Sequence, residues 1–332
     1  MRPTILIFLI FLEISVGLRP ITPPPSDPCD PKTLTPPQFL RSDQLTVLIN
    51  GFSESRLHLL ASIAAAYSSI PSVAAVLVLW GNPSTPIETL TQFSTNLTNS
   101  YYSAAPITVL RQSTASLNSR FLPRPQIATR AVAICDDDVE IDSESVEFAF
   151  KIWSSQVPNN LVGFFARSHD LDLEKKTWIY TVHPDKYSIV LTKFMIMNTD
   201  YLYKYSCEGA ESMAKARALV DEMVNCEDIL MNFVAAEESR SGPVLAEARR
   251  LRDRGDARNE DGDGPDGGGV RRAGLSSRRG EHRKRRGDCI REFHRVLGRM
   301  PLLYSYGKVA RSVGEQGLCE KGGKLVFCDE QV

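Results

Sequence analysis

Three consecutive aspartates, Asp136 to Asp138, directly follow the apolar run RAVAIC. Like charges this close together repel one another and raise each other's pKa. A hard divalent cation would offset the repulsion, with one or two carboxylates as ligands and substrate phosphates in other positions. The alternative is an acidic turn that stabilises the N-terminus of the next helix. The strand-like run before the aspartates favours a metal–diphosphate site. The secretory compartment, which the N-terminal segment and the cysteines indicate below, favours it as well.

The elements before the aspartates alternate between strand and helix. Apolar, strand-like runs occur at LTVLIN, VAAVLVLW, ITVL and RAVAIC. Helical spacing of apolar residues is found in RLHLLASIAAAY, in residues 86–99 and in SESVEFAFKIWSS, where Ser143 is the expected N-cap. This alternation over about 110 residues predicts an α/β fold with a parallel, doubly wound sheet and helices on both faces. Ligands bind such sheets at the carboxyl ends of the strands, where the aspartates lie.

The second half of the chain mixes aromatic strand-like runs with helices. LVGFFARSH, WIYTVHP and YSIVLTKFMIMN are strand-like, and the predicted helices are DYLYKYS, with Thr199 as its cap, AESMAKARALVDEMV, CEDILMNFVAAEE and CIREFHRVLGRM. Residues 254–275 contain many glycines and few apolar residues, which predicts a flexible Gly-rich loop. It is not a phosphate-binding loop, because no strand precedes it and no GK[ST] closes it.

The first 18 residues combine one arginine with an apolar run that is short for a membrane span. A cleaved signal peptide is favoured over a short signal-anchor of the Golgi type and over a buried helix. The first two interpretations place the chain in the secretory lumen, with membrane attachment in the anchor case. Residues 19–43 contain eight prolines and predict an extended stem, so that residues 44–332 form the globular domain.

The cysteines and charges agree with a luminal protein. None of the seven cysteines forms a CxxC pair, and once a buried thiol at Cys135 is set aside, six remain for disulfides in an oxidising compartment. Asn96 begins an N-glycosylation sequon. The net charge of −1 gives no general attraction to nucleic acid. The basic residues between 271 and 299 would face a diphosphate or an anionic acceptor, such as a phosphorylated lipid headgroup.

A set of short motifs runs in order from about Leu45 to Lys308: SLNSRF, CDDDVEI, FAFKIW, VGFFARSH, YSIVL, NCEDILMNF, EHRKRRGDCI and MPLLYSYGK. The ordered set resembles glycosyltransferase family 64, the exostosin and exostosin-like transferase domain, and its plant members most closely. The resemblance implies a GT-A fold, a nucleotide-sugar donor, Mn²⁺ held through a DxD motif, and retention of anomeric configuration. We therefore expect a hexosyl- or N-acetylhexosaminyltransferase in the Golgi lumen, with a UDP- or GDP-sugar donor and a glycan or glycolipid acceptor.

The resemblance assigns the donor site to five residues. Asp138 is the expected metal ligand, while Asp136 and Asp137 face the nucleotide ribose and the donor sugar. Arg56 and Arg120 match donor-binding arginines, whose planar guanidinium groups suit a charged ligand. Without the resemblance, Arg120 would be interpreted as a surface arginine.

The motif NCED supplies the catalytic side of the resemblance. Asp228 matches the family's catalytic carboxylate, which would stabilise positive charge near the anomeric carbon; a helix-dipole carboxylate is the alternative. Asn225 is expected to contact the acceptor, and Arg286 the departing diphosphate. In the family, the cysteines at Cys226 and Cys289 form a disulfide. The other four allow three pairings, of which Cys319 with Cys328 is preferred.

The acceptor of the animal members cannot be assigned to this chain. Their aromatic-rich segment, which helps bind a glucuronate acceptor, is replaced here by the Gly-rich loop and GLSSRRG. An inositol phosphorylceramide headgroup, the acceptor type of plant relatives, is one candidate. A non-catalytic luminal glycan-binding protein is an alternative function. A metal-dependent phosphohydrolase is disfavoured. In such an enzyme the D-x-D motif follows the first strand, whereas in this chain it follows the fourth.

Overall fold

A computed structural model describes residue 21 and residues 27–100, 104–255, 279–311, 318–321 and 324–327. The helices among them are α1 (Leu57–Ser68), α2 (Ile87–Ser100), α3 (Ser143–Gln156), α4 (Asp200–Ser206), α5 (Glu211–Met223), α6 (Glu227–Ser239) and α7 (Arg279–Leu297). The strands are β1 (Arg41–Gly51), β2 (Val73–Trp80), β3 (Ile107–Arg111), β4 (Thr129–Asp136), β5 (Val139–Ile141), β6 (Val162–Gly163), β7 (Ala166–Asp172), β8 (Thr177–Thr181), β9 (Lys186–Tyr187), β10 (Ile189–Val190), β11 (Phe194–Asn198), β12 (Val244–Leu245), β13 (Leu251–Asp253), β14 (Ser305–Tyr306), β15 (Leu318–Lys321) and β16 (Lys324–Phe327).

The central sheet has the strand order β12-β6-β11-β4-β1-β2-β3. Strands β4, β1, β2 and β3 run parallel to their neighbours, as the alternation of strands and helices predicts. The uninterrupted apolar runs of these strands are typical of parallel strands that are buried on both faces. Strand β11 is antiparallel to both β4 and β6, so the second half of the chain extends the sheet with mixed pairing. The predicted α/β class with a mostly parallel sheet is confirmed.

Helices cover both faces of the sheet, and each face has its own apolar core. One core contains residues of α1, α2 and α3, among them Leu60, Phe93 and Val146. The other core contains residues of α4, α5, α6 and α7, among them Tyr201, Val220, Phe233 and Phe293. The helices α6 and α7 of the second core begin near the carboxyl edge of the sheet, where they contribute side chains to the site described below.

Two predicted helix boundaries and one predicted capping bond differ from the structure. The N-cap of α3 is Asp142 and not Ser143, because the Asp142 carboxylate reaches the Ser145 backbone N–H at 3.1 Å. Thr199 precedes α4 but makes no side-chain cap bond; its hydroxyl donates instead to the Thr129 carbonyl at 2.7 Å. Helix α7 begins ten residues before Cys289, because the charged stretch EHRKRR continues the same helix.

The described part of the proline-rich segment is attached to the globular domain. Strand β1 already begins at Arg41, inside the segment assigned to the stem. A disulfide joins Cys29 to Cys207 at the end of α4, which selects one of the three pairings left open. The preferred partner of Cys319, Cys328, lies outside the described residues, as do residues 1–18 and the Gly-rich loop from residue 256 onward. No helix in the described ranges has both the length and the apolar character needed to cross a membrane.

Candidate active site

A cleft of about 1700 Å³ opens at the carboxyl ends of the parallel strands. Its wall includes Asn50 at the end of β1, Gly81 after β2, Gln112 after β3 and Asp136 at the end of β4. This is the edge at which ligands bind open α/β sheets, because strand ends and helix N-termini converge there. The residues predicted from the sequence all line this one cleft: Arg56, Arg120, Asp136, Asp137, Asp138, Asn225, Asp228 and Arg286.

The acidic turn between β4 and β5 is paired with Arg56. This arginine ends a short 3-10 helix, Glu54–Arg56, that follows β1 directly. Its Nη1 lies 2.5 Å from Asp137 Oδ1 and 3.1 Å from Asp138 Oδ2. All three side chains are buried, so the pairing operates where water screens charge only weakly. Because β1 and β4 are neighbours in the sheet, two residues 81 positions apart meet at its edge.

Arg120 bridges the two acidic segments of the cleft. It lies in the 3-10 helix Leu117–Phe121, and its Nη1 is 3.0 Å from Asp136 Oδ1 and 3.2 Å from Glu227 Oε1. Its Nε is buried and has no hydrogen-bond partner among the described residues. A buried donor without a partner is costly. The guanidinium links β4 to α6.

Asp228 and Arg286 form a second buried ion pair in the cleft. Arg286 Nη2 lies 2.6 Å from Asp228 Oδ2, and its Nη1 donates to Asn225 Oδ1 at 3.2 Å. The guanidinium also lies over the Tyr180 ring, 4.7 Å from the ring centroid. Burial alone would lower the pKa of Arg286, but attraction to Asp228 raises it above its ordinary value. The arginine is therefore a fixed cation.

A disulfide and a strained turn hold this pair in place. The bond between Cys226 and Cys289 joins the N-terminus of α6 to α7, which confirms the pairing implied by the resemblance. In the turn between α5 and α6, Val224 and Cys226 have φ angles of 48° and 77°. A β-branched residue in this left-handed region is strained, and strain of this kind is concentrated at functional sites. The turn directs Asn225 toward Arg286.

Sequence reasoning missed Glu227 and Tyr180. Glu227 is buried beside Asp228 and Arg120, and burial raises the pKa of its carboxyl. The adjacent carboxylates Glu227 and Asp228 in NCED were the available signal, but the family motif assigns a role to Asp228 alone. Tyr180 contacts Arg286 from β8, which packs on α7. No local pattern connects these two elements.

The donor set at Asp138 fits a divalent cation. Burial raises the pKa of Asp138 to about 7, with further contributions from Asp136 and Asp137. A cation beside this carboxylate would offset both the burial and the repulsion. No group of three or more His, Cys, Asp or Glu side chains that could hold a metal occurs within the described ranges. At diphosphate sites one or two carboxylates usually hold the ion together with ligand oxygens, and Asp138 is the residue that would do so here.

Asn96 stands apart from the cleft. It lies in α2 beside a separate shallow groove, and its side chain is exposed. Its glycosylation stays a prediction.

The chain belongs to glycosyltransferase family 64: the Glycosyl transferase family 64 domain matches residues 45–314. It is 61% identical over 322 residues to Glycosyltransferase family protein 64 C3 of Arabidopsis thaliana, covering 97% of this chain and 96% of that protein. Exostosin-1 of Papio anubis is 32% identical over 209 residues, which are 61% of this chain and 25% of exostosin-1. Exostosin-1 of Pongo abelii is 39% identical over 142 residues, 42% of this chain and 18% of that protein. The resemblance is confirmed, and membership implies, in general, sugar transfer from a nucleotide-sugar donor to a glycan acceptor.

Proposed function

We propose that this protein is a retaining, Mn²⁺-dependent glycosyltransferase with the GT-A fold and a UDP- or GDP-sugar donor. The observation that carries the proposal is that two charged groups line one cleft. One group is the acidic turn with its arginines, and the other is the buried pair of Asp228 and Arg286. The first group suits a nucleotide diphosphate with a metal ion, and the second suits the bond that must break.

On the donor side, each residue has a distinct role. Mn²⁺, held by Asp138 and the donor's phosphates, would neutralise the diphosphate. Arg56 holds the carboxylates of Asp137 and Asp138 in place. Arg120 lines the cleft and orients Asp136, which faces the nucleotide sugar. The backbone and side chains at this edge are positioned before the donor arrives, which lowers the cost of ordering the site.

At the reacting bond, Arg286 and Asp228 act on opposite charges. The anomeric carbon gains positive charge as its bond to the diphosphate breaks, and the Asp228 carboxylate stabilises that charge. Arg286 stabilises the negative charge on the departing diphosphate. The acceptor hydroxyl attacks on the same face of the sugar and gives its proton to the departing diphosphate, so the configuration is retained. Asn225 orients Arg286 and contacts the acceptor.

The acceptor is proposed to be a glycan or glycolipid, and the transferred sugar a hexose or N-acetylhexosamine. Arg283, Lys284 and Arg291 of α7 line the cleft, which suits an anionic acceptor such as an inositol phosphorylceramide headgroup. The Golgi lumen is the proposed location. The disulfides Cys29–Cys207 and Cys226–Cys289 support an oxidising compartment.

The test is the melting temperature of the purified protein with a panel of UDP- and GDP-sugars, with and without Mn²⁺. A ligand that binds only the folded state raises this temperature by mass action. We expect a Mn²⁺-dependent rise with one nucleotide family, followed by transfer of labelled sugar from that donor. A folded protein whose melting temperature does not change with any donor would contradict the proposal and favour a non-catalytic glycan-binding protein.

A further inference from the structure

The segment that leads into the Gly-rich region lies against the acidic turn. Strand β13 pairs antiparallel with β5, so that Asp253 is opposite Val139. One residue further on, the Arg254 backbone N–H donates to the Asp138 carbonyl at 2.9 Å. Residues 254 and 255, which the sequence assigns to a flexible loop, are therefore in contact with the expected metal ligand.

Gly255 leaves the space that the Asp138 carboxylate occupies. A Cβ atom at residue 255 would lie 2.4 Å from Asp138 Oδ2 and 3.1 Å from Asp138 Cγ. It would also lie 3.5 Å from Asp253 Oδ1, so the two carboxylates meet at this glycine. The backbone of Gly255 is not in the left-handed region. Glycine therefore allows the close approach of the Asp138 carboxylate here and is not needed for backbone conformation.

An ion pair anchors residues 253–255 to the central sheet. Asp253 is buried, with one carboxylate oxygen bonded to the Lys193 ammonium and the other accepting the Gly255 backbone N–H at 3.1 Å. The ammonium of Lys193 lies 5.3 Å from the centroid of the Phe165 ring. Lys193 directly precedes β11 of the central sheet, so the sheet anchors the segment.

We propose that residues 253–255 are a positioning element that holds the Asp138 carboxylate in its metal-binding orientation, with Gly255 as the residue that permits it. The inference rests on the proposed function, since it concerns binding of a divalent cation with a nucleotide diphosphate. Groups that orient a ligand side chain, without touching the metal, commonly change metal affinity by about 10- to 100-fold when altered.

The test is Gly255→Ala, with Mn²⁺ affinity measured in the presence of UDP and, separately, GDP. Free Mn²⁺ is followed by its electron paramagnetic resonance signal, which does not depend on turnover. The added methyl group must displace the Asp138 carboxylate, so we expect about 10- to 100-fold weaker Mn²⁺ binding. The metal-free melting temperature should change little, because the displaced atoms are the end of one short side chain.

Two further variants separate positioning from general damage. Arg252→Ala changes an exposed side chain of the same strand and should leave Mn²⁺ affinity within about twofold, as surface substitutions usually have small effects. Arg254→Pro removes the N–H donated to Asp138 and should weaken Mn²⁺ binding. Unchanged Mn²⁺ affinity in both Gly255→Ala and Arg254→Pro, with wild-type protein binding normally, would overturn the positioning role alone. Failure of the wild-type protein to bind Mn²⁺ with either nucleotide would overturn this role together with the proposed metal dependence.

Discussion

At the scale of single residues, the cleft is organised by buried charges in pairs. A buried carboxylate or guanidinium is costly alone, and removing one partner leaves the other uncompensated. In the cleft, Asp228 is paired with Arg286 at 2.6 Å, and Asp137 is paired with Arg56 at 2.5 Å. Arg120 has two such partners, Asp136 and Glu227. Each of these buried charged residues is therefore paired with a residue of another element.

The substitution Asp228→Asn tests the catalytic assignment. The amide oxygen still accepts from Arg286, so we expect a folded protein that binds the donor as the wild type does. Loss of the negative charge should reduce turnover by about 10²- to 10³-fold, the size found when one aimed electrostatic group is removed. The measurement is transfer of labelled sugar, beside donor affinity. The control is Asp200→Asn, an exposed carboxylate paired with Lys204. Near-normal turnover in Asp228→Asn would refute the role of this carboxylate.

At the scale of elements, two disulfides attach different parts of the chain. The bond Cys226–Cys289 spans 63 residues and joins the two helices that carry Asp228 and Arg286. The bond Cys29–Cys207 spans 178 residues and attaches the proline-rich segment to the end of α4. Restriction of the unfolded chain alone would contribute about 4 kcal/mol for the first and about 5 kcal/mol for the second.

Paired alanine variants should separate stability from catalysis. Replacing both cysteines of either disulfide should lower the free energy of unfolding, by up to the amounts above. Only the Cys226→Ala/Cys289→Ala variant should also lose turnover at a temperature where both proteins are folded, because it releases α6 from α7. Urea unfolding and labelled-sugar transfer measure the two effects. Equal turnover in the two paired variants would show that this disulfide does not position the catalytic pair.

At the scale of the whole molecule, the pH dependence of stability has an identified contributor in the small sheet formed by β10, β7 and β8. His169 in β7 is buried between the Tyr304 ring, stacked at 4.7 Å between centroids, and Trp178. Burial lowers the pKa of this histidine to about 4. The nearby Asp170 carboxylate acts to raise this pKa, whereas the Lys186 ammonium lowers it further. The Ser188 hydroxyl lies 2.7 Å from its Nδ1. The folded protein therefore retains a neutral imidazole.

This burial predicts a loss of stability in mild acid. A histidine whose pKa is lower in the folded state makes its full contribution to the free energy of unfolding at pH values above the unfolded pKa of about 6.5. This contribution is lost as the pH falls toward the folded pKa of about 4. Between pH 7 and pH 5 the loss should be about 2 kcal/mol, measured by urea unfolding at each pH. His169→Gln should remove this part of the dependence, whereas replacement of the exposed His58 should not. The same dependence in wild type and His169→Gln would contradict the assignment.

Local patterns in the sequence determined the sheet and the location of its ligand site. The apolar runs at residues 45–49 and 131–135 predict strands of an α/β fold, and Asp136 to Asp138 follow the second run directly. The family motifs added Asp228 and the disulfide between Cys226 and Cys289. These features could be predicted because apolar periodicity and short motifs are properties of neighbouring residues.

Only the tertiary structure decided which charges meet. Arg56 reaches Asp137 across 81 positions, and Arg286 reaches Asp228 across 58, through strand pairing and helix packing that no local pattern specifies. The same holds for Glu227, which contacts Arg120, and for Gly255, whose missing side chain matters only because β13 lies beside the acidic turn. Contacts between distant residues depend on the joint packing of many side chains. The identity of the charged groups is therefore encoded locally, whereas their pairing, burial and pKa values arise from the folded molecule.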